Sequence, residues 1–222
     1  MYLSRVEIDV NNRRKTKDLT HLGAYHNWIE QSFPEEIAAN ERQRHLWRID
    51  QLNGKKYLLL LSQEAPDTEA LARYGVGGSV QTKSYDQFLN GINDGELMRF
   101  RLTANPVHAV PQPGKNQPKI YPHIKVDQQK GWLIKRADKL GFELIKKQQS
   151  ETIEDVNDLA FDIVSRDWPR LARKQSRGAK LSRVSFEGML RVTDAVTFRQ
   201  TLVNGIGKEK AFGMGLMTVI PV

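Results

Sequence analysis

Residues 44–62, RHLWRIDQLNGKKYLLLLS, contain a strong signal for a β-hairpin. Two runs rich in aliphatic and aromatic residues flank Asn53-Gly54, a dipeptide that suits a two-residue turn because both of its residues tolerate positive φ. The stretch therefore predicts two antiparallel strands, 44–50 and 55–62. The segments on either side of this hairpin indicate the fold to which it belongs.

The first half of the chain reads as strand, helix, strand, strand, helix, strand. Residues 2–10 alternate, with Val6, Ile8 and Val10 on one face, as expected of a half-buried strand. Pro34 marks the end of a stretch with helical spacing. In chain order, the predicted elements are strand 2–10, helix 24–33, strands 44–50 and 55–62, helix 66–75 and a weaker strand 79–83.

The second half repeats this order with larger insertions. Met98, Phe100 and Leu102 alternate with arginines, which again indicates a strand with one buried face. The predicted elements are strand 97–106, a basic amphipathic helix 126–140, strands 142–147 and 183–192, helix 193–207 and strand 216–221. The sequence therefore predicts an α+β fold with two tandem ferredoxin-like (RRM-like) βαββαβ domains, each with an antiparallel sheet, over residues 1–92 and 93–222.

Composition excludes several classes of protein. The 222 residues include no cysteine, so there is no disulfide framework, thiolate zinc site or cysteine nucleophile. The histidines form no HExxH motif, and we expect neither a metal nor a cofactor. No apolar run approaches the roughly 20 residues that span a bilayer, and the alternating N-terminus is unlike a secretory signal. We therefore expect a cytoplasmic protein without a membrane partner.

The net charge of +8 favours a polyanionic partner, and its distribution is uneven. Residues 166–183, RDWPRLARKQSRGAKLSR, contain seven Arg or Lys and one Asp, which gives net +6. A solvated basic loop would explain this run, but contact with RNA phosphates explains it better because so much repulsion needs compensation. The residues expected to make these contacts are Arg170, Arg173, Lys174, Arg177 and Lys180.

The chain ends with NGIGKEKAFGMGLMTVIPV, residues 204–222, in which four glycines bracket Lys208 and Lys210. The glycine spacing fits neither a Walker loop nor a dinucleotide fingerprint, and the loop follows a helix and precedes a strand, the reverse of both motifs. Taken alone, it supports a structural turn and an anion contact about equally.

A basic protein without cysteine can still cleave RNA, because RNA carries its own nucleophile in the 2′-hydroxyl. The enzyme then supplies a general base, a general acid for the leaving 5′-oxygen, and cations for the charge that develops on the phosphate. Histidine suits the proton transfers. His26 stands out because it lies near a helix start with Tyr25 and His21 close by, although each histidine by itself fits a structural or simply exposed position better than a catalytic one.

Several segments together resemble the CasE-type CRISPR-associated endoribonucleases, the RNA-processing subunits of type I-E Cascade. The matching pieces occur in the family's order and span nearly the whole chain. They are MYLSRVEI, DLTHLGAYHNWIEQSFP, LMRFRLTANPV, RVSFEGMLRVTDA and GIGKEKAFGMGLMTVIP. The resemblance implies two ferredoxin-like domains. It also implies metal-independent cleavage of repeat RNA 3′ of a stem-loop, a 2′,3′-cyclic phosphate product, and continued binding to the mature crRNA beside other Cascade subunits.

The resemblance also implies roles for individual residues. His26 matches the family's catalytic histidine, which lies on the first helix shortly before a Phe-Pro end. A tyrosine three residues earlier assists in some members, but Gly23 stands there, so Tyr25 or His21 would have to take its place. Lys180 resembles a basic residue that supports the phosphate. The lysines of the C-terminal loop, Lys208 and Lys210, are expected to face RNA backbone or a Cascade neighbour.

Two other functions remain open at the level of sequence. The chain could be a non-catalytic RNA-binding subunit of the same superfamily, such as a guide-backbone protein, which would share the fold and the charge but not cleave. It could also be a basic interaction module unrelated to RNA. That module would bind a hairpin with almost no salt dependence, whereas several phosphate contacts give a steep dependence.

Overall fold

The computed structural model describes residues 1–114, 116–147, 158–173 and 176–222, with the backbone alone at 172–173 and 176–179. The chain forms two compact units. The first comprises Met1–Gly91, Arg170–Ala179 and Glu209–Leu216, and the second comprises Ile92–Pro169, Lys180–Lys208 and Met217–Val222. The division into domains 1–92 and 93–222 stays a prediction, and two short segments from the second half of the chain cluster with the first unit.

The first unit contains a four-stranded antiparallel sheet in the order β2-β3-β1-β4. This order is that of a ferredoxin-like βαββαβ unit, and it confirms the predicted fold class. The elements are β1 (Tyr2–Glu7), α1 (Arg13–Thr16), α2 (Leu22–Gln31), α3 (Pro34–Ala38), β2 (Leu46–Leu52), β3 (Lys55–Ser62), α4 (Thr68–Ala72), β4 (Gln81–Ser84) and α5 (Asp86–Asn90).

The predicted hairpin is present, with Leu52 paired to Lys55 across the turn. Asn53 and Gly54 have φ of 51° and 77°, so both central residues take the left-handed conformation of a tight hairpin turn. The first strand is shorter than its alternating pattern predicts. Val6 and Ile8 are buried, but β1 ends at Glu7 and Val10 is 42% exposed.

Helix α2 packs through one face and leaves the opposite face open. Trp28 and Ile29 are fully buried, and the indole of Trp28 donates to the carbonyl of Ala70 in α4 at 3.2 Å. The Trp28 ring also meets Tyr74 edge-on, with centroids 5.2 Å apart. Because residues four apart share a helix face, this packing leaves His26 and Glu30 together on the half-buried side.

The second unit contains a five-stranded antiparallel sheet in the order β13-β5-β12-β8, in which β9 also pairs with β12. Two short strands thus share one edge of β12, where the sequence predicts a single strand at 142–147. The elements are β5 (Leu97–Ala104), β6 (Val107–Val110), β7 (Lys119–Pro122), α6 (Val126–Ala137), β8 (Phe142–Leu144), β9 (Phe161–Asp167), β12 (Arg183–Val192), α7 (Ala195–Asn204) and β13 (Met217–Pro221).

Two small hairpins are additions to the predicted pattern. One is formed by β6 and β7. The other is formed by β10 (Arg170–Arg173) and β11 (Ser176–Lys180), where the sequence predicts no strand. The alternation of β5 is confirmed, since Met98, Phe100 and Leu102 are all buried. None of the described helices has the length and apolar character that crossing a lipid bilayer requires.

Gly188 lies inside β12, at the position that pairs with the first residue of β9. It pairs with Phe161 of β9 on one side and with Phe100 of β5 on the other. A Cβ at this position would overlap both the carbonyl oxygen of Ala160 and the backbone of Phe161. The glycine of the FEG sequence is therefore required by a close approach of two strands.

We expect Gly188→Ala to force β9 away from β12 and to lower the free energy of unfolding by about 1–3 kcal/mol, as overpacking usually does. Thermal or denaturant unfolding measures this loss. Gly77→Ala is the matched control, because Gly77 is exposed and has no heavy atom within 4 Å of an added Cβ. Equal stability of the two variants would contradict the packing described for Gly188.

Candidate active site

His26 lines a small pocket in the first unit. Its imidazole is 30% exposed on α2. The pocket has a volume of about 370 Å³, and its walls come from α2, the segment before β2 and the C-terminal loop. The lining residues are His26, Glu30, Arg42, Gln43, Arg44, His45, Lys210 and Ala211.

The imidazole of His26 is oriented by a carboxylate and an aromatic ring. Nδ1 is buried, makes no hydrogen bond to a described residue, and lies 3.7 Å from Oε1 of Glu30. Phe212 approaches the ring edge-on, with centroids 5.9 Å apart. A carboxylate beside Nδ1 favours the proton on that nitrogen, and this leaves Nε2 as the nitrogen available for proton transfer.

Glu30 is the centre of this group of charges. Its Oε1 accepts a hydrogen bond from Nδ1 of His45 at 3.0 Å, and its Oε2 lies 4.0 Å from the guanidinium of Arg42. Burial opposes ionisation of Glu30, but the hydrogen bond from His45 and the positive charges of His45, His26 and Arg42 outweigh it. The net effect lowers the pKa of Glu30 below its ordinary value.

His45 connects Glu30 to the buried part of the first unit. The side chain is buried, its Nε2 lies 3.3 Å from Oε1 of Glu36, and its ring stacks on Phe33 with centroids 3.9 Å apart. Sequence reasoning missed this residue, because nothing in the local pattern links His45 to α2.

The C-terminal glycine loop reaches the same pocket through its lysine at 210. A turn of 3-10 helix, Lys210–Phe212, is held by Trp47, whose indole donates to the carbonyl of Ala211 at 3.1 Å. At Gly213, with φ of 76°, a Cβ would come within 2.7 Å of the Trp47 ring, so only glycine fits there. Burial and the positive charge of Arg44 lower the pKa of Lys210.

Tyr25 and His21, the two candidates for a second catalytic group, are not among the residues that line the His26 pocket. The Tyr25 ring stacks on the ring of Trp47, the residue that holds the C-terminal loop, with centroids 6.0 Å apart. His21 is the N-cap of α2, where its Nδ1 accepts from the amide of Ala24 at 3.2 Å. A Cβ on Gly23 would lie 3.1 Å from the His21 ring, so a larger residue there would crowd this cap.

The basic hairpin β10–β11 belongs partly to the first unit, and Cα atoms of β10 come within 8 Å of those of α2. Arg170 is exposed at its start, and Lys180 is exposed at its end, where the chain enters the second unit. Lys174 and the side chains of Arg173 and Arg177 lie outside the described residues. Lys208, unlike Lys210, lines a pocket of the second unit.

The pocket combines the groups that acid–base chemistry on an anionic substrate requires. An imidazole lies beside a carboxylate, and an amine with a lowered pKa shares the same cavity. Within the described ranges, no group of three or more His, Asp or Glu side chains is arranged to hold a metal ion. The arrangement can move a proton and stabilise negative charge at one point.

Comparisons with known proteins agree on one family. The family model described as CRISPR associated protein matches residues 1–221. The chain is 27% identical to the CRISPR-associated endoribonuclease Cse3 of Thermus thermophilus and 26% identical to the Cascade subunit CasE of Escherichia coli, with 100% of each chain covered. It shares its fold with a structure of Cse3 bound to 19 nt RNA, at a TM-score of 0.78 and 24% identity over 100% of both chains.

The lowered pKa of Glu30 predicts a pH dependence of stability. A carboxyl whose folded-state pKa is depressed contributes stability above its unfolded pKa of about 4.3, and this contribution is lost as the pH falls through the folded-state pKa. We therefore expect Glu30→Gln to be less stable than the wild type near pH 7. The difference should shrink as the pH falls below about 4.3.

Thermal unfolding of both proteins between pH 7 and pH 3 measures this difference. Glu35→Gln serves as the control, because Glu35 is an exposed glutamate of the neighbouring helix α3. A constant difference between wild type and Glu30→Gln across this range would contradict the ion-pair network.

Proposed function

The chain belongs to the family of CRISPR-associated proteins, and from this premise we propose that it is an endoribonuclease that processes CRISPR precursor RNA. It cleaves 3′ of the repeat stem-loop without a metal ion and remains bound to the mature crRNA. The observation that carries the proposal is the pocket in which His26, Glu30 and Lys210 lie together. Its relatives bear the names of an endoribonuclease, Cse3, and of a Cascade subunit, CasE.

In the proposed reaction, the 2′-hydroxyl loses its proton to a general base and attacks the adjacent phosphorus. The bond to the 5′-oxygen breaks, and that oxygen takes a proton from a general acid, which gives a 2′,3′-cyclic phosphate and a 5′-hydroxyl. His26 performs one of these proton transfers through Nε2, with Glu30 beside Nδ1. Tyr25 is the weaker candidate for the other transfer.

Charge on the transferring phosphate is stabilised by nearby cations. Lys210 lies in the pocket itself, and burial makes its amine a stronger interaction partner than an exposed lysine would be. Lys180 is a further candidate for contact with the scissile phosphate. The phosphate backbone of the RNA hairpin is bound by Arg170, Arg173, Lys174 and Arg177. Lys208 makes an additional contact with an RNA phosphate.

The proposed partners follow from the same reaction. The substrate is the CRISPR repeat hairpin, and the product complex, protein with crRNA, joins other Cascade subunits. We propose the cytoplasm as the place of this reaction. Because the phosphate contacts release counterions, affinity for the hairpin should fall steeply with salt.

Removing His26 tests the reaction directly. We expect His26→Ala to lower the single-turnover cleavage rate of the repeat hairpin by about 10²–10⁴-fold, the usual size of a general acid–base contribution. The affinity for the hairpin should stay nearly unchanged, because phosphate contacts carry the binding. Denaturing gels measure the rate, and treatment of the 3′ end with a phosphatase that cannot open cyclic phosphates identifies the product.

Glu35→Gln is the matched control, since Glu35 is an exposed residue of the neighbouring helix α3 and does not line the His26 pocket. This variant should cleave like the wild type, and so should the wild type in EDTA. Normal cleavage by His26→Ala, or loss of activity in EDTA, would refute the proposed mechanism. Hairpin binding without cleavage by the wild type would favour a guide-backbone protein.

The two lysines of the C-terminal loop should behave differently. Lys210 lines the His26 pocket, so we expect Lys210→Ala to lower the cleavage rate at saturating RNA by roughly 10-fold or more. Lys208 lines a pocket of the second unit, so Lys208→Ala should weaken hairpin binding and leave the rate at saturation near that of the wild type. Identical effects of the two substitutions on rate and affinity would contradict this separation.

A further inference from the structure

The second unit contains a larger pocket that the cleavage reaction does not use. It has a volume of about 970 Å³ and lies between the β6–β7 hairpin and helix α6. This volume is within the range of small-molecule binding sites, about 300–1,000 Å³. The side chains that matter for its chemistry are His108, His123, Lys135, Arg136 and Lys208.

The electrostatic character of this pocket is positive. Lys135, Arg136 and Lys208 line it together with a single carboxylate, Asp127, and none of the three cations is ion-paired with a described residue. Arg136 is held in place over the Trp132 ring, with its guanidinium carbon 4.5 Å from the centroid. The positive charges in the cavity therefore favour binding of an anion.

The pKa of His123 is affected by the same positive charges. Burial lowers the pKa of His123, and the positive charges of His108, Arg136 and Lys135 lower it further. Its Nδ1 is buried and has no hydrogen-bond partner among the described residues. A buried polar atom without a partner is costly, and a ligand in the pocket could satisfy it.

Flat rings accompany the cations. His108 stacks on His123 with centroids 4.7 Å apart, and Tyr121 continues the series with centroids 6.1 Å from His108. Tyr121 is 36% exposed, and His108 is exposed as well. Stacked rings beside a positive site suit a ligand with one flat apolar part and one anionic part.

Two glycines keep the pocket open. Gly131 lies in the interior of α6, where glycine costs about 1 kcal/mol relative to alanine, and an added Cβ would meet nothing within 4 Å. Its missing side chain therefore leaves usable volume in the cavity. At Gly207, with φ of 85°, a Cβ would come within 3.1 Å of Trp132, so the glycine lets the loop bring Lys208 close to α6.

We propose that this pocket binds a single unpaired nucleotide, with its base against the His108–His123 stack and its phosphate held by Lys135, Arg136 and Lys208. Bases in an A-form stem are already stacked and paired, so only an unpaired nucleotide can place its base in a cavity. The inference rests on the proposed function insofar as the nucleotide belongs to the RNA that the His26 site cleaves.

The test uses free nucleotides, so it does not depend on cleavage. Isothermal titration calorimetry is performed with the four ribonucleoside 5′-monophosphates, the four nucleosides and inorganic phosphate. We expect at least one monophosphate to bind 10-fold or more tightly than its nucleoside or inorganic phosphate. Gly131→Leu, which fills the cavity with a residue that favours helix, should weaken that binding at least 10-fold.

Gly77→Leu is the matched control, because Gly77 is exposed and also has open space around it. Nucleotide binding that Gly131→Leu leaves intact would overturn the proposal, as would inorganic phosphate binding as tightly as every nucleotide. Tighter binding of an acidic peptide, competed by no nucleotide, would overturn it in favour of a protein partner. Failure of the proposed function would instead appear as a wild-type protein that does not cleave the repeat hairpin.

Discussion

The contact between Trp47 and the C-terminal loop is the constraint on which the candidate active site depends. The indole of Trp47 binds the carbonyl of Ala211, and Gly213 allows the loop to lie against the ring. Arg48, the next residue, donates to the carbonyl of Leu216 at 3.0 Å. Together these bonds fasten a segment from the end of the chain onto β2, and Lys210 and Phe212 thereby reach His26 on α2.

Within the pocket, Glu30 links His26 to the neighbouring elements of the fold. One of its oxygens faces both His26 and His45, and His45 in turn is fixed by Glu36 and by the ring of Phe33. This link makes the geometry of His26 sensitive to the packing of β2 and α3.

The glycine-rich loop contributes one lysine to each of two pockets. Gly207 brings Lys208 to a pocket with stacked histidines and a positive field, while Gly213 helps to bring Lys210 to the His26 pocket. Its glycines do not form a phosphate-binding motif. They permit close approach to two tryptophan rings, Trp132 and Trp47, and so the loop positions its lysines through aromatic packing.

Local patterns in the sequence determined turns and strands whose conformation depends on residues close together in the chain. The Asn53-Gly54 turn follows from backbone preference, and the buried alternation of β5 follows from a period of two residues. The short hairpins β6–β7 and β10–β11 were missed because short strands give too few residues for a period to be visible.

The sequence by itself also determined the family and the candidate histidine, since the matching motifs lie in order along the chain. Only the tertiary structure decided what surrounds that histidine. His45 and Lys210 are brought to it by hairpin pairing and by a bond between Trp47 and Ala211, 164 positions apart. No local period encodes such contacts, because they arise only when strands and loops distant in the chain pack against one another.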